Sequence, residues 1–446
     1  MSIRQFFLAA SLAAVLPAHA QTAAQGMAAP GGAAATLPGV SPSAAAPGTP
    51  LSLVQTLQAA RNNLDVSLAR RALAAAQGDV ASADHAPAPV LTTKASQMDL
   101  QRGIGGGNLF RDKRIDKSLG MDWTWERGNK RALRTQAAQS NAAAAQADIE
   151  DMLVQQQQAA AFAYFDLLAA QERIGQVGEI SRSATQLANT AARRVQAGDL
   201  AAQDSARIEI EAQRASTDLL SAQLDRQRAA LALAQLTGFT GAGMLVAQPD
   251  WPAAARPDAD AANVYYPLVD NRPDVRAAMR RVEAARAALD VASAQKKADV
   301  TLGASFDHFP GTSTRQLELR LQMPLYGLLG GYNFQGEIAR AQAQLDQAQD
   351  ILDKTRRSAG TELQRLQQDR QGAAARAYSY EGTILPRARK VAQMAELAYS
   401  KGAMSLTDLI DARRTLRTIL IEDLAARTEH AKAEQAWQLR QEQRQP

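Results

Sequence analysis

The sequence predicts a mainly helical protein that carries two β-hairpins of the kind that forms the wall of a membrane β-barrel. Three observations lead to this prediction. The segment 300–325 alternates apolar and polar residues, which is the period of a strand. Long runs rich in Ala and Gln flank it and have the texture of long helices. The order helix, hairpin and long helix pair occurs twice along the 446 residues, which indicates an internal duplication.

Composition and charge narrow the classes of protein to which the chain can belong. The net charge is +5, and Lys and Arg are interspersed with Asp and Glu rather than clustered, so nucleic-acid binding is not indicated. The chain has no cysteine, which excludes disulfides and thiolate metal sites. His85, His308 and His430 are scattered without the spacing of metal ligands. We therefore expect no catalytic site, no bound metal and no cofactor.

The first 50 residues predict export followed by a flexible leader. Residues 1–20 combine Arg4, an apolar core and the small residues Ala18 and Ala20, as in a secretory signal peptide with its cleavage site. Residues 21–50 are mostly Ala, Gly, Pro, Ser and Thr and offer too little apolar surface to fold alone. No later segment has the roughly 20 consecutive apolar residues of a membrane-spanning helix, so insertion into a membrane would have to use strands.

A first structural repeat is predicted at residues 51–237. A helical pattern runs over 51–83, a hairpin follows at about 88–126, and a long pair of antiparallel helices completes the repeat. Gly128 opens this helical run, and the turn between its two helices is predicted near Gly198, the strongest break in the run. About 70 residues lead to the turn, which corresponds to roughly 100 Å of helix. Such an arm is too long for a compact domain.

The first hairpin has one irregular and one regular strand. Its first strand, predicted at 90–100, alternates poorly and puts Lys94 on the face that should meet lipid. Its return strand alternates well and carries Trp123 and Trp125 on the apolar face at the strand end. Aromatic side chains in this position line the membrane interface of a barrel wall, although ordinary core packing would also explain a tryptophan.

An irregular connector rich in Gly and Pro, residues 238–270, leads to a second repeat at 271–440. Its hairpin is predicted at about 299–325, and its helix pair turns near Gly402. A short polar tail, 441–446, follows. The second repeat therefore copies the order of the first.

Equivalent glycines support the duplication. Gly128 and Gly331, like Gly198 and Gly402, are separated by roughly 204 positions. In the second arm a seven-residue repeat of apolar residues predicts a coiled-coil seam with small side chains. The seam comprises Ile338, Leu345, Leu352, Ala359, Leu366 and Ala373. Pro386 is predicted to kink this arm.

The strand number constrains the assembly. Four strands cannot close a barrel, and an open sheet in lipid would expose unpaired backbone groups at a cost of roughly several kcal/mol each. Subunits must therefore pool their strands. Three copies would form a shared barrel of twelve strands, and the helices that continue from the hairpins would form a tube below it.

Several motifs, taken in order, resemble the outer membrane factor (TolC-like) family, the trimeric channel-tunnels of tripartite efflux and type I secretion systems. They are Leu51–Leu53, Asn271–Val275, Met323–Tyr326, Ile384–Pro386 and, most specifically, Ala398–Arg413. The resemblance covers nearly all of residues 51–437. It implies a homotrimeric α/β channel-tunnel that is anchored in outer membrane lipid and crosses the periplasm. It also implies a passive exit duct for drugs or metal ions, delivered by a periplasmic adaptor and an inner-membrane pump.

The resemblance also implies functional residues near the second turn. Asp408 and Asp411 match positions that ring the periplasmic entrance of family members, and Tyr399 matches one that latches the closed tip. Two acids three positions apart on one helix face, in three subunits, would surround a constriction with carboxylates and favour cations. Locally, the same acids fit equally well as solvated residues of a helix N-terminus, where the dipole favours negative charge.

By the same resemblance, Gly198 and Gly402 mark the helical tips that dock onto the adaptor, together with Val195 and Met404. The stretch 125–134 resembles members that serve heavy-metal efflux. Two alternatives remain open at this point: a channel for type I protein secretion, and a periplasmic coiled-coil adaptor or structural protein. The adaptor alternative would predict one helical hairpin flanked by all-β domains, whereas this chain has two helical arms.

Overall fold

The computed structural model describes residues 50–96, 115–239, 245–254, 269–309, 313–325 and 332–441. The elements of the first repeat and of the connector after it are β1 (Pro50–Leu51), α1 (Leu53–Ala60), α2 (Leu64–Ala83), β2 (Val90–Ser96), β3 (Asp116–Trp125), α3 (Lys130–Gln196), α4 (Ala202–Thr237) and, in the connector, β4 (Val246–Ala247). The second-repeat elements are α5 (Pro273–Ala294), β5 (Val300–Phe309), β6 (Ser313–Gln322), α6 (Gln335–Ser379), a π-helical turn (Tyr380–Ile384), α7 (Leu385–Ser400) and α8 (Leu406–Gln441). The predicted signal peptide and nearly all of the leader and tail lie outside the described residues.

Helix α3 is the central element of the helical part. It is 67 residues long, which corresponds to roughly 100 Å, and it contacts α1, α2, α4, α5 and α8. In its middle, Tyr164, Phe165, Leu167 and Leu168 are fully or almost fully buried. Each such side chain contributes about 1.5–3 kcal/mol on burial. None of the described helices is long and apolar enough to cross a membrane.

The segment after α4 is fastened to the middle of α3 by polar contacts. The Gln171 side chain accepts a hydrogen bond from the Ala247 N–H (2.8 Å) and donates one to the Ala247 carbonyl (3.0 Å). The Tyr164 hydroxyl donates to the carbonyl of Gln248 at 3.0 Å. Strand β4, in the connector, also pairs in parallel with β1, so the connector meets the start of the first repeat over the core.

The two hairpins form one antiparallel sheet with the strand order β2-β3-β5-β6. Opposite residues share a face, so the register assigns every side chain to a side. One side is apolar and exposed: Leu317, Leu319 and Leu321 on β6 are 73%, 78% and 69% accessible. The other side is polar. The predicted hairpin turn at 310–312 lies outside the described residues.

The prediction for Lys94 was wrong. Strand β2 ends at Ser96, and Lys94 lies opposite Ser118 on the polar side of the sheet, while Leu91 lies opposite Met121 on the apolar side. The error arose because threonines occupy both sides of this strand and Val90 lies on the polar side. The alternation therefore did not reveal whether the odd-numbered or the even-numbered residues of β2 face lipid.

Each repeat contains a junction at which a returning helix meets a starting helix. In the first repeat the Asn63 side chain donates a hydrogen bond to the carbonyl of Leu236 at 2.9 Å, so α2 begins where α4 ends. In the second repeat Arg272, which precedes α5, and Arg440, at the end of α8, both pair with Glu362 on α6. The single helical pattern predicted for 51–83 is thus divided in two by the N-cap Asn63.

The second arm is interrupted where Pro386 was predicted to kink it. Residues 380–384 form a π-helical turn, and the Leu385 N–H bonds to the Tyr380 carbonyl, five residues back. The wider turn accommodates the missing N–H of Pro386, which lies in the first turn of α7. The long arms begin alike, after left-handed residues at Asn129 (φ 55°) and Phe334 (φ 56°).

Candidate functional site

The first long helix pair ends in a Schellman turn. Gly198 has a φ of +82°, a conformation that favours glycine. The Asp199 N–H donates to the Arg194 carbonyl at 2.8 Å, and the Gly198 N–H donates to the Val195 carbonyl at 3.0 Å. This pair of bonds satisfies the last carbonyls of α3 and turns the chain into α4.

The second helix pair ends in the same way. Gly402 has a φ of +77°; the Ala403 N–H donates to the Ala398 carbonyl at 2.8 Å and the Gly402 N–H to the Tyr399 carbonyl at 3.0 Å. Both predicted tips therefore have one geometry at equivalent positions. Together we call the turns at Gly198 and Gly402 the paired tips.

Asp408 lies in the first turn of α8 and is exposed. The Ser405 hydroxyl accepts a hydrogen bond from the Asp408 N–H at 3.2 Å and donates one to the Asp408 carboxylate at 2.7 Å. This arrangement is a helix cap of the S-x-x-D type, which the sequence pattern could have indicated. The carboxylate therefore stabilises the helix start and also remains accessible at the tip.

Asp411 lies one turn further along the same face and is 65% exposed. Its carboxylate is 3.8 Å from the Arg414 guanidinium, which also binds Glu211 on α4. Arg414 thus connects Asp411 to the first repeat. Sequence reasoning did not identify this contact, because the two acids are 200 positions apart along the chain.

The remaining predicted tip residues surround the two turns. Tyr399, Met404 and Val195 are half-buried, and the backbone carbonyls of Tyr399 and Val195 accept the bonds that close the turns. The structure therefore brings the predicted residues of each tip together. Among the described residues, the Tyr399 hydroxyl has no side-chain partner.

Within the described part of the chain, five ion pairs join helix α8 to the first repeat, and Ala431 of α8 also packs in the apolar cluster around the middle of α3. The basic residues of α8 pair with acids on α4 near the tips and with acids on α3 further away. The pairs are Arg414–Glu211, Arg417–Asp218, Arg427–Glu172 (3.0 Å), Lys432–Asp166 (2.5 Å) and Arg440–Asp151 (3.1 Å). Near the tips, a groove of about 400 Å³ separates α8 and α7 from α3 and α4. Beside this groove, the pairs Arg414–Glu211 and Arg417–Asp218 connect the two helix pairs where apolar packing is incomplete.

Two titratable side chains of α8, Asp423 and His430, are buried. Burial raises the pKa of Asp423, although Arg427 and Arg389 oppose this shift, and its Oδ1 atom has no hydrogen-bond partner. Burial also lowers the pKa of His430, so that the imidazole favours its neutral form. Both groups face the arm that contains the π-helical turn.

The collar between the sheet and the helices consists of charged residues from the stretch 125–134. Lys130 is almost fully buried and binds Asp299, which precedes β5, at 2.8 Å. Arg134 binds both carboxylate oxygens of Glu126, at 2.7 and 3.0 Å. The collar joins the first hairpin to the second. On the sheet above it, Trp123 and Trp125 lie on the apolar side and are 49% and 58% exposed.

The chain matches known efflux proteins in sequence and in fold. Residues 264–441 match the family model described as outer membrane efflux protein. The chain is 26% identical over 370 residues to the cobalt-zinc-cadmium resistance protein CzcC of Cupriavidus metallidurans, covering 82% of this chain and 84% of that protein.

Two solved structures illustrate the likeness in fold. The outer membrane protein VceC of Vibrio cholerae gives a TM-score of 0.71 at 20% identity, covering 86% of this chain and 94% of that one. The outer membrane channel CmeC of Campylobacter jejuni gives a TM-score of 0.73 at 15% identity, covering 87% and 85%. At these identities the likeness concerns the fold.

The matches confirm the predicted class. Residues 264–441 match the outer membrane efflux protein family, and the chain has the mainly helical channel-tunnel fold that the sequence predicted. Its function is that of an outer membrane efflux channel, located in the outer membrane with its helical tunnel in the periplasm. The matched family is a family of transport channels rather than of enzymes.

Proposed function

We propose that this channel works as a homotrimer whose twelve pooled strands form one barrel. The observation that carries the proposal is the sheet. Its apolar side is exposed along all four strands, and β2 and β6 each have one edge without a partner among the described residues. Unpaired edges in lipid cost roughly several kcal/mol per backbone group, and pairing β6 of one copy with β2 of the next removes them.

The test isolates outer membranes, extracts the protein in mild detergent and measures its native mass. A trimer in that fraction is expected. A monomer in the soluble periplasm would contradict the proposal, because the apolar side of the sheet would then not be a membrane wall.

Cysteine pairs test the strand order, since the natural chain has no cysteine background. Leu91→Cys on β2, combined in turn with Leu317→Cys, Leu319→Cys or Leu321→Cys on β6, should yield covalently linked trimers on oxidation for at least one pair. The control pair, Trp125→Cys with Val300→Cys, joins strands β3 and β5 within one chain. It should yield monomers in denaturing gels.

We further propose that the paired tips receive a periplasmic adaptor, which connects the tunnel to an inner-membrane pump. Both tips have the same backbone geometry, and each is flanked by exposed side chains on the two helices that it joins. Asp408 and Asp411 would line the entrance of the tunnel and favour cations there. The half-buried Tyr399, Val195 and Met404 would shape the contact with the adaptor.

We propose divalent metal cations as the transported class. The relative CzcC is described as a cobalt-zinc-cadmium resistance protein, and the collar stretch 125–134 resembles metal-efflux members. Among the described residues no group of His, Cys, Asp or Glu is placed to hold a metal ion, so the metal would be cargo in transit. A deletion strain should lose tolerance to cobalt, zinc or cadmium and regain it with the gene. Unaltered tolerance would contradict the metal assignment and leave the channel itself in place.

A further inference from the structure

An ion pair on the polar side of the sheet joins two strands that are not neighbours. Arg320 on β6 binds the Oδ1 atom of Asp122 on β3 at 2.5 Å, although β5 lies between them. The spacing of two strand intervals is roughly 9.6 Å, which the long arginine side chain can span. On β2, the Thr92 hydroxyl donates to the Oδ2 atom of the same carboxylate at 3.2 Å. One set of contacts therefore touches the polar side of β2, β3 and β6.

Gly303 on β5 makes this contact possible. It lies directly opposite both Asp122 and Arg320 in the register. A Cβ atom at Gly303 would lie 2.3 Å from the Asp122 Oδ1 atom and 3.3 Å from the Arg320 Nε atom. Any side chain there would displace the pair. We call Gly303, Asp122 and Arg320 the cross-sheet clamp.

Stability alone does not explain the clamp. Arg320 is 49% exposed, and ion pairs this exposed contribute little to folding. A glycine inside a strand weakens the strand. The chain thus accepts an unfavourable residue at Gly303 and holds Arg320 flat against the polar side.

The charges around the clamp are mainly acidic. The described acids on the polar side outnumber the described bases. The acids are Asp116, Asp122, Asp307 and Glu318, and the bases are Lys94 and Arg320. Holding Arg320 against Asp122 neutralises one acid and keeps the guanidinium out of the open space, where it would repel cations.

We propose that the cross-sheet clamp determines the ion selectivity of the barrel lumen, which favours cations as the transported species. This inference rests on the proposed trimeric barrel, in which the polar side of the sheet faces the lumen. Three copies place three clamps around the lumen, so each substitution acts three times. Asp122 and Arg320 act with opposite sign, and Gly303 acts by holding them together.

The test measures reversal potentials of purified trimers in planar bilayers under a potassium chloride gradient. The wild-type channel should prefer potassium. Arg320→Gln should raise the potassium-to-chloride permeability ratio at least about two-fold, and Asp122→Asn should lower it by about as much, because each removes one sign of charge from the lumen. Arg320→Lys keeps the charge and should resemble the wild type.

The variant Gly303→Ala tests the geometry of the clamp without changing the net charge of the lumen. It keeps both charges but displaces the Asp122 carboxylate, so the Arg320 guanidinium is released into the lumen. The potassium-to-chloride permeability ratio should therefore fall, as in Asp122→Asn. Gln316→Ala, an uncharged change on the same side of the sheet, is the matched control and should have no effect. Native mass verifies that each variant is a trimer.

The outcomes distinguish this inference from the proposed function. If the wild-type protein forms no trimer and no channel, the proposed barrel is wrong. If the wild-type trimer conducts and the Arg320, Asp122 and Gly303 variants all retain its reversal potential, the clamp does not determine selectivity, while the barrel remains. If Gly303→Ala keeps the wild-type reversal potential while the Arg320 and Asp122 variants change it, then Gly303 does not hold the ion pair in the proposed geometry.

Discussion

Arg272 donates a 2.7 Å hydrogen bond to the carboxylate of Glu362, and the same carboxylate is 3.4 Å from the Arg440 guanidinium. Arg272 and Arg440 are only 5% and 6% exposed. The end of helix α8 and the start of helix α5 are therefore both bound to Glu362 of α6. Asp274 completes the site by binding Arg272 at 2.8 Å. This site is the main polar joint of the second repeat.

Replacing Glu362 should destabilise the protein. Glu362→Gln leaves two buried guanidinium groups short of a carboxylate and should lower the free energy of unfolding by roughly 2–4 kcal/mol. Thermal unfolding monitored by circular dichroism would measure the loss. Asp369→Asn on the same helix is the control, because its partner Arg365 is 4.0 Å away and both side chains are exposed, so its effect should be near zero. Equal effects of both substitutions would contradict the importance of the joint.

Two glycines of the second arm, Gly372 and Gly402, should respond to alanine with opposite sign. Gly402→Ala forces an alanine into the left-handed region and should cost about 1–2 kcal/mol locally. Gly372 lies inside α6 with nothing near the position of an added Cβ atom, so Gly372→Ala should stabilise its helix by roughly 0.5–1 kcal/mol. Amide hydrogen exchange near each site is the measurement. Slower exchange at the second tip in the Gly402→Ala variant than in the wild type would count against the tip geometry.

The buried carboxyl of Asp423 should make stability depend on pH. Burial raises its pKa, and Glu381 adds to this, whereas Arg427 and Arg389 oppose it. A raised pKa in the folded state means that ionisation opposes folding, so the cost is present above the folded pKa and absent below the unfolded value of about 3.9. Asp423→Asn should therefore stabilise the protein at pH 7, by roughly 1–2 kcal/mol.

The comparison with the wild type across pH tests that sign. The advantage of Asp423→Asn in melting temperature should shrink as the pH falls from 7 to 4, and it should vanish only below the unfolded pKa of about 3.9. An advantage that is constant from pH 7 to pH 4 would show that ionisation of Asp423 is not its cause.

Removing the acids of the second tip should change how easily ions pass the entrance of the tunnel. Replacing Asp408 and Asp411 together by Ala should raise the single-channel conductance in a planar bilayer, because the constriction would lose its carboxylates. Ser405→Ala removes the cap that Ser405 shares with Asp408 and keeps both acids, so it serves as the control. If Ser405→Ala reproduces the change, the acids act through the helix start; unchanged conductance in the double variant would contradict the entrance assignment.

Period-two patterns predicted the strand faces correctly wherever they were regular. Leu302 and Leu321 lie opposite each other on the apolar side, as their alternation indicated. In β2 the pattern failed at Lys94, because side chains of intermediate polarity occupy both parities. Helix ends were predicted well where glycine in the left-handed region was required, as at Gly198 and Gly402.

Contacts between the repeats could not be read from the sequence. Arg417 and Asp218 are 199 positions apart, and Arg440 and Asp151 are 289 positions apart, so no local pattern connects them. Their partners follow only from the packing of α8 against α3 and α4. The same applies to Arg320 and Asp122, whose contact requires the register of three strands.

The two joints of the duplicated chain have diverged in chemistry. The first is a neutral hydrogen bond from Asn63 to a backbone carbonyl, and the second is a set of charges around Glu362. The second joint depends on paired charges, whereas the first does not. The same order of elements is thus closed by different chemistry in the two halves, so a single substitution at one joint leaves the contacts of the other intact.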